Sequence, residues 1–101
     1  MGRQVTNGYD NIVLTLAKAD KWIDIPDWMI ENQLTEHLGI IRQRTAIMHM
    51  GIMVKLGYLR LTKKGFPGQR TYDLIGEKVL QLKSREMSRI MEHVKGKQGV
   101  L

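Results

Sequence analysis

Seven basic side chains, Arg42, Arg44, Lys55, Arg60, Lys63, Lys64 and Arg70, stand between Glu36 and Asp73 with no acidic residue among them. Guanidinium and ammonium groups gathered in this way share one chemistry: they neutralise phosphates or other polyanions. The rest of the chain sharpens the contrast. Residues 1–41 hold three basic and six acidic side chains, a net charge of −3, whereas residues 42–101 carry +9, giving the overall +6. Charge segregated on that scale implies one surface that meets a polyanion. The competing reading is a solvated basic face with no partner.

Groups capable of covalent or metal chemistry do not assemble. Asp20, Asp24, Asp27 and Glu31 make a run of carboxylates, but Pro26 interrupts any shared helix face. Capping and solubility account for them. His37, His49 and His93 lack ligand spacing. Ser84 and Ser88 lie in a charged segment without a nucleophile motif, and no phosphate-cradling glycine loop occurs. Without cysteine there is no disulfide and no thiolate site. No enzyme activity, cofactor, metal or small-molecule ligand is expected from these residues.

The 101 residues, 43% hydrophobic with charges of both signs, fit one small globular domain with no room for a separate ligand domain. A sequence pI near 9.8 suits nucleic acid or an anionic membrane surface. No apolar run approaches the roughly 20 residues that span a bilayer. The opening MGRQVTNGYD lacks the apolar core of a signal peptide. A cytoplasmic setting is expected.

The elements that must position the basic groups follow from periodicity. Gly2, Asn7 and Gly8 mark residues 1–9 as a loose arm. Asp10 caps a helix to Ala19, with Ile12, Val13, Leu16 and Ala17 as its buried stripe. Lys21 to Ile25 alternates like a strand, Ile23 and Ile25 on one face and Trp22 and Asp24 on the other, and Pro26 ends it. A second helix spans Asp27 to Leu38 on Ile30, Leu34 and Leu38, closed by Gly39. A third spans Arg42 to Leu56, stopped by Gly57; Gly51 inside it costs about 1 kcal/mol relative to alanine. Tyr58 to Thr62 and Gln69 to Leu74 form a hairpin around the turn KKGFPG. A last helix runs from about Gly76 to Val94, before a tail at 95–101.

In LTEHLG (34–39), RQRTAIMHMGIMVKLGYL (42–59) and YDLIGEKVL (72–80), the chain resembles the winged helix-turn-helix regulators, the group that includes MarR-like and PadR-like repressors. The resemblance covers roughly residues 10–82 and rests on spacing. It departs from the family in three places. The segment from Leu38 to Gly57 is one residue longer, Ile40 and Ile41 replace the usual polar cap, and Ile75 and Gly76 shift the closing Thr and Gly. It implies an α+β fold: a three-helix core with a small antiparallel β-wing at 10–76 and a C-terminal helix at 77–94. It also implies a sequence-specific protein of double-stranded DNA, acting in transcription as a homodimer.

On a helical wheel, Gln43, Ala46, Ile47, Met50, Met53 and Val54 share the packing side of the third helix. Arg44, Thr45, Met48, Ile52 and Lys55 face away, with His49 at the margin. In a helix-turn-helix the outward face enters the major groove. Arg44 could pair with guanine, Thr45 contact a base or phosphate, and Met48 touch a thymine methyl. Arg42 stands where the helix dipole favours phosphate. Gln43, His49 and Lys55 complete the candidates on this helix. On the hairpin, Lys63, Lys64 and Arg70 would follow the DNA backbone or enter the minor groove, and Arg60 would support them. Phe66 at the tip either wedges against a sugar or base step or folds back on the hairpin, the second being the expectation.

The last helix carries two apolar rows. Ile75, Val79, Leu82 and Ile90 can cover the core, leaving Leu80, Met87, Met91 and Val94 for a symmetric partner. Two rival roles stay open. The same DNA-binding face could serve replication, partition or packaging. Alternatively, the fold could be a protein- or RNA-binding module with Met48 and Ile52 as its contact.

Overall fold

The computed structural model describes the backbone of residues 2–85 and the side chains of 8–85. Helix α1 (Gly2–Lys18) leads to a short strand β1 (Ile25–Pro26), then helices α2 (Asp27–Leu38) and α3 (Gln43–Lys55). A hairpin of β2 (Leu59–Lys63) and β3 (Thr71–Leu74) follows. A further helix, α4, occupies 76–85. The strands form one antiparallel sheet in the order β1-β3-β2. The architecture of the described residues is α+β, four helices with a three-stranded sheet.

The first helix is longer than its sequence pattern predicts. It begins at Gly2, not Asp10, so residues 2–9 are helix and not an arm. Gly8 explains the difference: it is buried, and a Cβ built there would collide with the Leu38 side chain of α2. This glycine permits close helix approach and does not break the helix. Asp10 is accordingly not a cap. Its Oδ1 accepts a hydrogen bond of 2.6 Å from Tyr58 Oη. From Tyr9 onward the buried stripe is Tyr9, Ile12, Val13, Leu16 and Ala17, the spacing of one helix face.

The strand expected over Lys21 to Ile25 shrinks to Ile25–Pro26, paired with Tyr72 and Thr71. Asp20 and Asp24 adopt left-handed φ values of 62° and 50°, which end the extended run on either side. The faces part as a result. Ile25 is buried, Ile23 is 74% exposed, and Trp22 packs against the core. Pro26 is the last residue of the strand, a place open to proline because β1 is an edge strand.

Helix α2 has its expected bounds. Ile30 and Leu34 are fully buried, and Gly39 at φ 68° turns its N–H onto the Thr35 carbonyl while Ile40 N–H reaches Leu34 O. That is the left-handed close that glycine provides cheaply. Leu34→Ala would cost about 2–5 kcal/mol by the usual cost of emptying a core site. In α3, Ala46, Met50 and Met53 are buried and Ile47 is half-buried. Gln43 and Val54, expected on the packing side, are exposed. Val54 lines the open space between α3 and the hairpin.

Along the hairpin, Leu59, Tyr72 and Leu74 face the core, while Arg60, Thr62, Thr71 and Asp73 line the outer face. The register shifts between Leu61 and Lys63, an irregularity that re-aims the end of β2. In α4, Val79 and Leu82 are buried and Leu80 is 69% exposed. The other expected dimer residues, Met87, Met91 and Val94, lie outside the described residues, as do Ile90 and the tail. Among the described residues no helix is long and apolar enough to cross a membrane.

Candidate nucleic-acid interface

Helix α3 presents its cations from the first turn onward. Arg42, Gln43, Arg44, Met48 and Lys55 are exposed and Thr45 is half-buried. The flanking Arg42 has extended backbone and makes no side-chain cap, and no acidic residue occupies the first turn. Unpaired N–H groups and the positive end of the helix dipole therefore stand beside two guanidinium groups. An oxyanion is the complementary ligand.

The hairpin tip is built on a tight turn. Pro67 and Gly68, with φ 94° at Gly68, bring Gln69 N–H to Phe66 O at 2.9 Å. Proline followed by a left-handed glycine is the signature of a type II turn. Arg70 Nε donates to Gly65 O at 2.9 Å, so this arginine braces the turn from within. Lys63 and Lys64 are exposed beside it. Phe66 does not fold back: it is 78% exposed.

What holds the tip in place is Asp27, at the first turn of α2 and only 2% exposed. Its Oδ2 accepts the Gly68 N–H at 2.7 Å and, more weakly, the Arg70 N–H at 3.4 Å. Its own N–H donates to Arg70 O at 3.0 Å. Oδ1 is buried without a hydrogen-bond partner. The cost of that orphan is offset by the two N–H donors and by the helix dipole. Nearby groups register the low polarity. Burial, then Asp27, pushes the Glu31 carboxyl up; burial also raises the Tyr72 phenol, with Arg70 acting the other way.

Between α3 and the hairpin runs an open groove of about 430 Å³. Ile47, Val54, Leu61 and Tyr72 give it an apolar lining, Gly51 and Gly65 leave it room, and Lys64 and Arg70 make its edge basic. On α3 it is bounded by Ile47, Gly51 and Val54, and on the hairpin by Leu61, Lys64, Gly65, Arg70 and Tyr72. Of the candidate residues, Lys64 and Arg70 line it.

Two candidates are committed elsewhere. Arg60 pairs with Asp73 at 3.2 Å on the outer face of the sheet, the only ion pair among the described residues. Asp73 Oδ1 also accepts the Asp24 N–H at 2.9 Å, and that bond, then Arg60, holds its carboxyl below the usual range. His49 is half-buried, with Nδ1 in a 2.6 Å hydrogen bond with Tyr9 Oη. Tyr9 meets Tyr58 edge to face at 5.7 Å, and Lys78 Nζ lies 4.6 Å from the centre of the Tyr58 ring. His49 therefore ties α3 to α1 instead of reaching outward.

Sequence reasoning gave Asp27 to capping and solubility, Gly51 only a helix cost and Ile41 only a missing polar cap. It missed the hold of Asp27 on the hairpin tip, the place of Gly51 in the groove and the 83% exposure of Ile41 before α3. Pro26-Asp27 signals a helix start, but nothing local signals the hairpin tip as its partner. Among the described residues no group of three acidic, histidine or cysteine side chains could hold a metal ion. Comparison with protein families, with curated proteins and with solved structures finds no match.

Proposed function

We propose that the chain is a winged helix-turn-helix protein that binds double-stranded DNA as a homodimer and regulates transcription. In this reading α2 and α3 are the helix-turn-helix, α3 enters the major groove, and the hairpin is the wing on the backbone or minor groove. One observation carries it: Arg42, Arg44 and Lys55 on α3 and Lys63 and Lys64 on the hairpin are all exposed, and no carboxylate intervenes between them in the sequence. The exposed Leu80 on α4 supports a symmetric partner, since apolar groups of that size gain by burial.

A second reading has its own observation. Met48 and Ile52, one turn apart on α3, are 57% and 36% exposed, an apolar pair that also suits a protein partner. Selection from a pool of random duplexes separates the two. Enrichment of a short motif supports DNA reading; retention of no duplex at all contradicts it and favours the protein partner.

A further inference from the structure

Gly51 is a glycine without a reason inside its own chain. It sits in the middle of α3, where glycine weakens a helix relative to alanine. Its φ is not in the left-handed region, as those of Gly39, Gly57 and Gly68 are, so the backbone does not require it. Packing does not require it either, for a Cβ built there meets nothing within 4 Å. Gly8 shows the contrast, since a Cβ there strikes Leu38. A helical glycine that neither conformation nor internal packing demands leaves space for something from outside.

That space opens into the groove between α3 and the hairpin. Ile47, Val54 and Leu61 line it with apolar surface, Lys64 and Arg70 flank it with positive charge, and no carboxylate lines it. The Arg70 guanidinium is already oriented by its bond to Gly65 O. An apolar lining beside two cations complements an alternation of apolar ring and anion. A sugar–phosphate strand has that chemistry: deoxyribose against the aliphatic side chains and phosphate toward Lys64 and Arg70.

We infer that the groove seats one deoxyribose–phosphate strand of duplex DNA, and that Gly51 is the point of closest backbone approach. The inference rests on the DNA-binding reading and adds to it a contact that is independent of sequence. It also makes Gly51 a position where binding is kept at the expense of helix stability. The strand passes between the two elements, so the contact fixes how far the hairpin stands from the duplex while α3 reads bases.

The test is to substitute Gly51→Ala and Gly51→Leu in the full chain, following thermal unfolding and binding to duplexes of several sequences. Gly51→Ala is expected to raise the melting temperature, because the methyl group enters open space on a helix. It is expected to weaken every duplex alike by about tenfold and to make the salt dependence shallower by about one phosphate per protomer. Gly51→Leu should weaken binding further. Unchanged affinity in both variants overturns the groove assignment while leaving the DNA-binding reading intact. A loss confined to one preferred sequence also overturns it, since it would put Gly51 against bases. If the unaltered chain binds no duplex, the broader reading fails and this inference with it.

Discussion

The Asp27 carboxylate receives the Gly68 backbone N–H at 2.7 Å, joining the first turn of α2 to the hairpin tip across 41 residues of sequence. A charged acceptor buried against a backbone donor contributes more than an ordinary hydrogen bond, roughly 1.5–3 kcal/mol. The link also fixes where Lys63 and Lys64 stand relative to α3. Asp27→Ala is expected to destabilise the fold by about 2 kcal/mol in urea unfolding and to loosen the tip. Hydrogen exchange should rise at the Gly68 and Arg70 amides ahead of global unfolding. Protection unchanged at those amides would count against the link.

A second long-range contact joins α1 to the start of β2. Tyr58 Oη donates to Asp10 Oδ1 at 2.6 Å, and the phenol is raised in pKa by burial and then by that bond. Tyr58→Phe should cost about 1.5–3 kcal/mol, because the acceptor is a carboxylate. Tyr9→Phe removes the bond to His49 and should cost about 1 kcal/mol. Denaturant titration at fixed pH measures both. If His49 met DNA, Tyr9→Phe would alter affinity as well as stability; stability alone is expected to change.

These contacts show where local sequence signals stop. The bounds of α2 were legible because Pro26 and Gly39 punctuate it at both ends and Ile30 and Leu34 mark its face. The segregated charge was legible because it depends on composition alone. The start of α1 was not, since Gly8 carries the same local signal as a loop glycine, and only Leu38, thirty residues on, gives it another role. Asp27 reads as a helix-start acid until the Gly68 N–H is brought to it. His49 lay at the margin of the wheel, and the Tyr9 hydroxyl settles its direction.

Two carboxyls give opposite pH signs. Asp73 titrates below its unfolded value, mainly through the Asp24 N–H and then Arg60. Its contribution is therefore full above the unfolded pKa of about 3.9 and is lost as pH falls through the lower folded value. Glu31 is raised by burial and by Asp27, so its contribution is present below about pH 4.3 and lost as pH rises through the folded value. Asp73→Asn should lower stability at pH 7 by roughly 1 kcal/mol and flatten the acid limb. Glu31→Gln should raise stability at pH 7 by less than about 1 kcal/mol. Unfolding at pH 3 and pH 7 distinguishes the two; a shared sign would contradict the assignment.

Leu80 tests the dimer. Its exposure means that Leu80→Glu leaves the described core untouched, so the melting temperature of the isolated fold should change little. Sedimentation is expected to show a dimer for the unaltered chain and a monomer for the variant. DNA affinity should fall steeply on loss of dimerisation, because the second half-site then no longer binds at high effective concentration. A monomeric unaltered chain at micromolar concentration would refute the dimer.

The central claim is that the exposed cations of α3 and the hairpin bind duplex DNA, and salt dependence tests it most directly. Each phosphate neutralised releases counterions, so log affinity should fall with log salt at about 0.9 per contact. For roughly six to ten contacts in a dimer, a slope of roughly −5 to −9 is expected. Lys63→Ala or Lys64→Ala should reduce that slope and weaken all sequences alike. Arg44→Ala should weaken a preferred site by about 1–3 kcal/mol and relax its sequence preference. A slope near zero, or a slope indifferent to all three substitutions, would contradict the account.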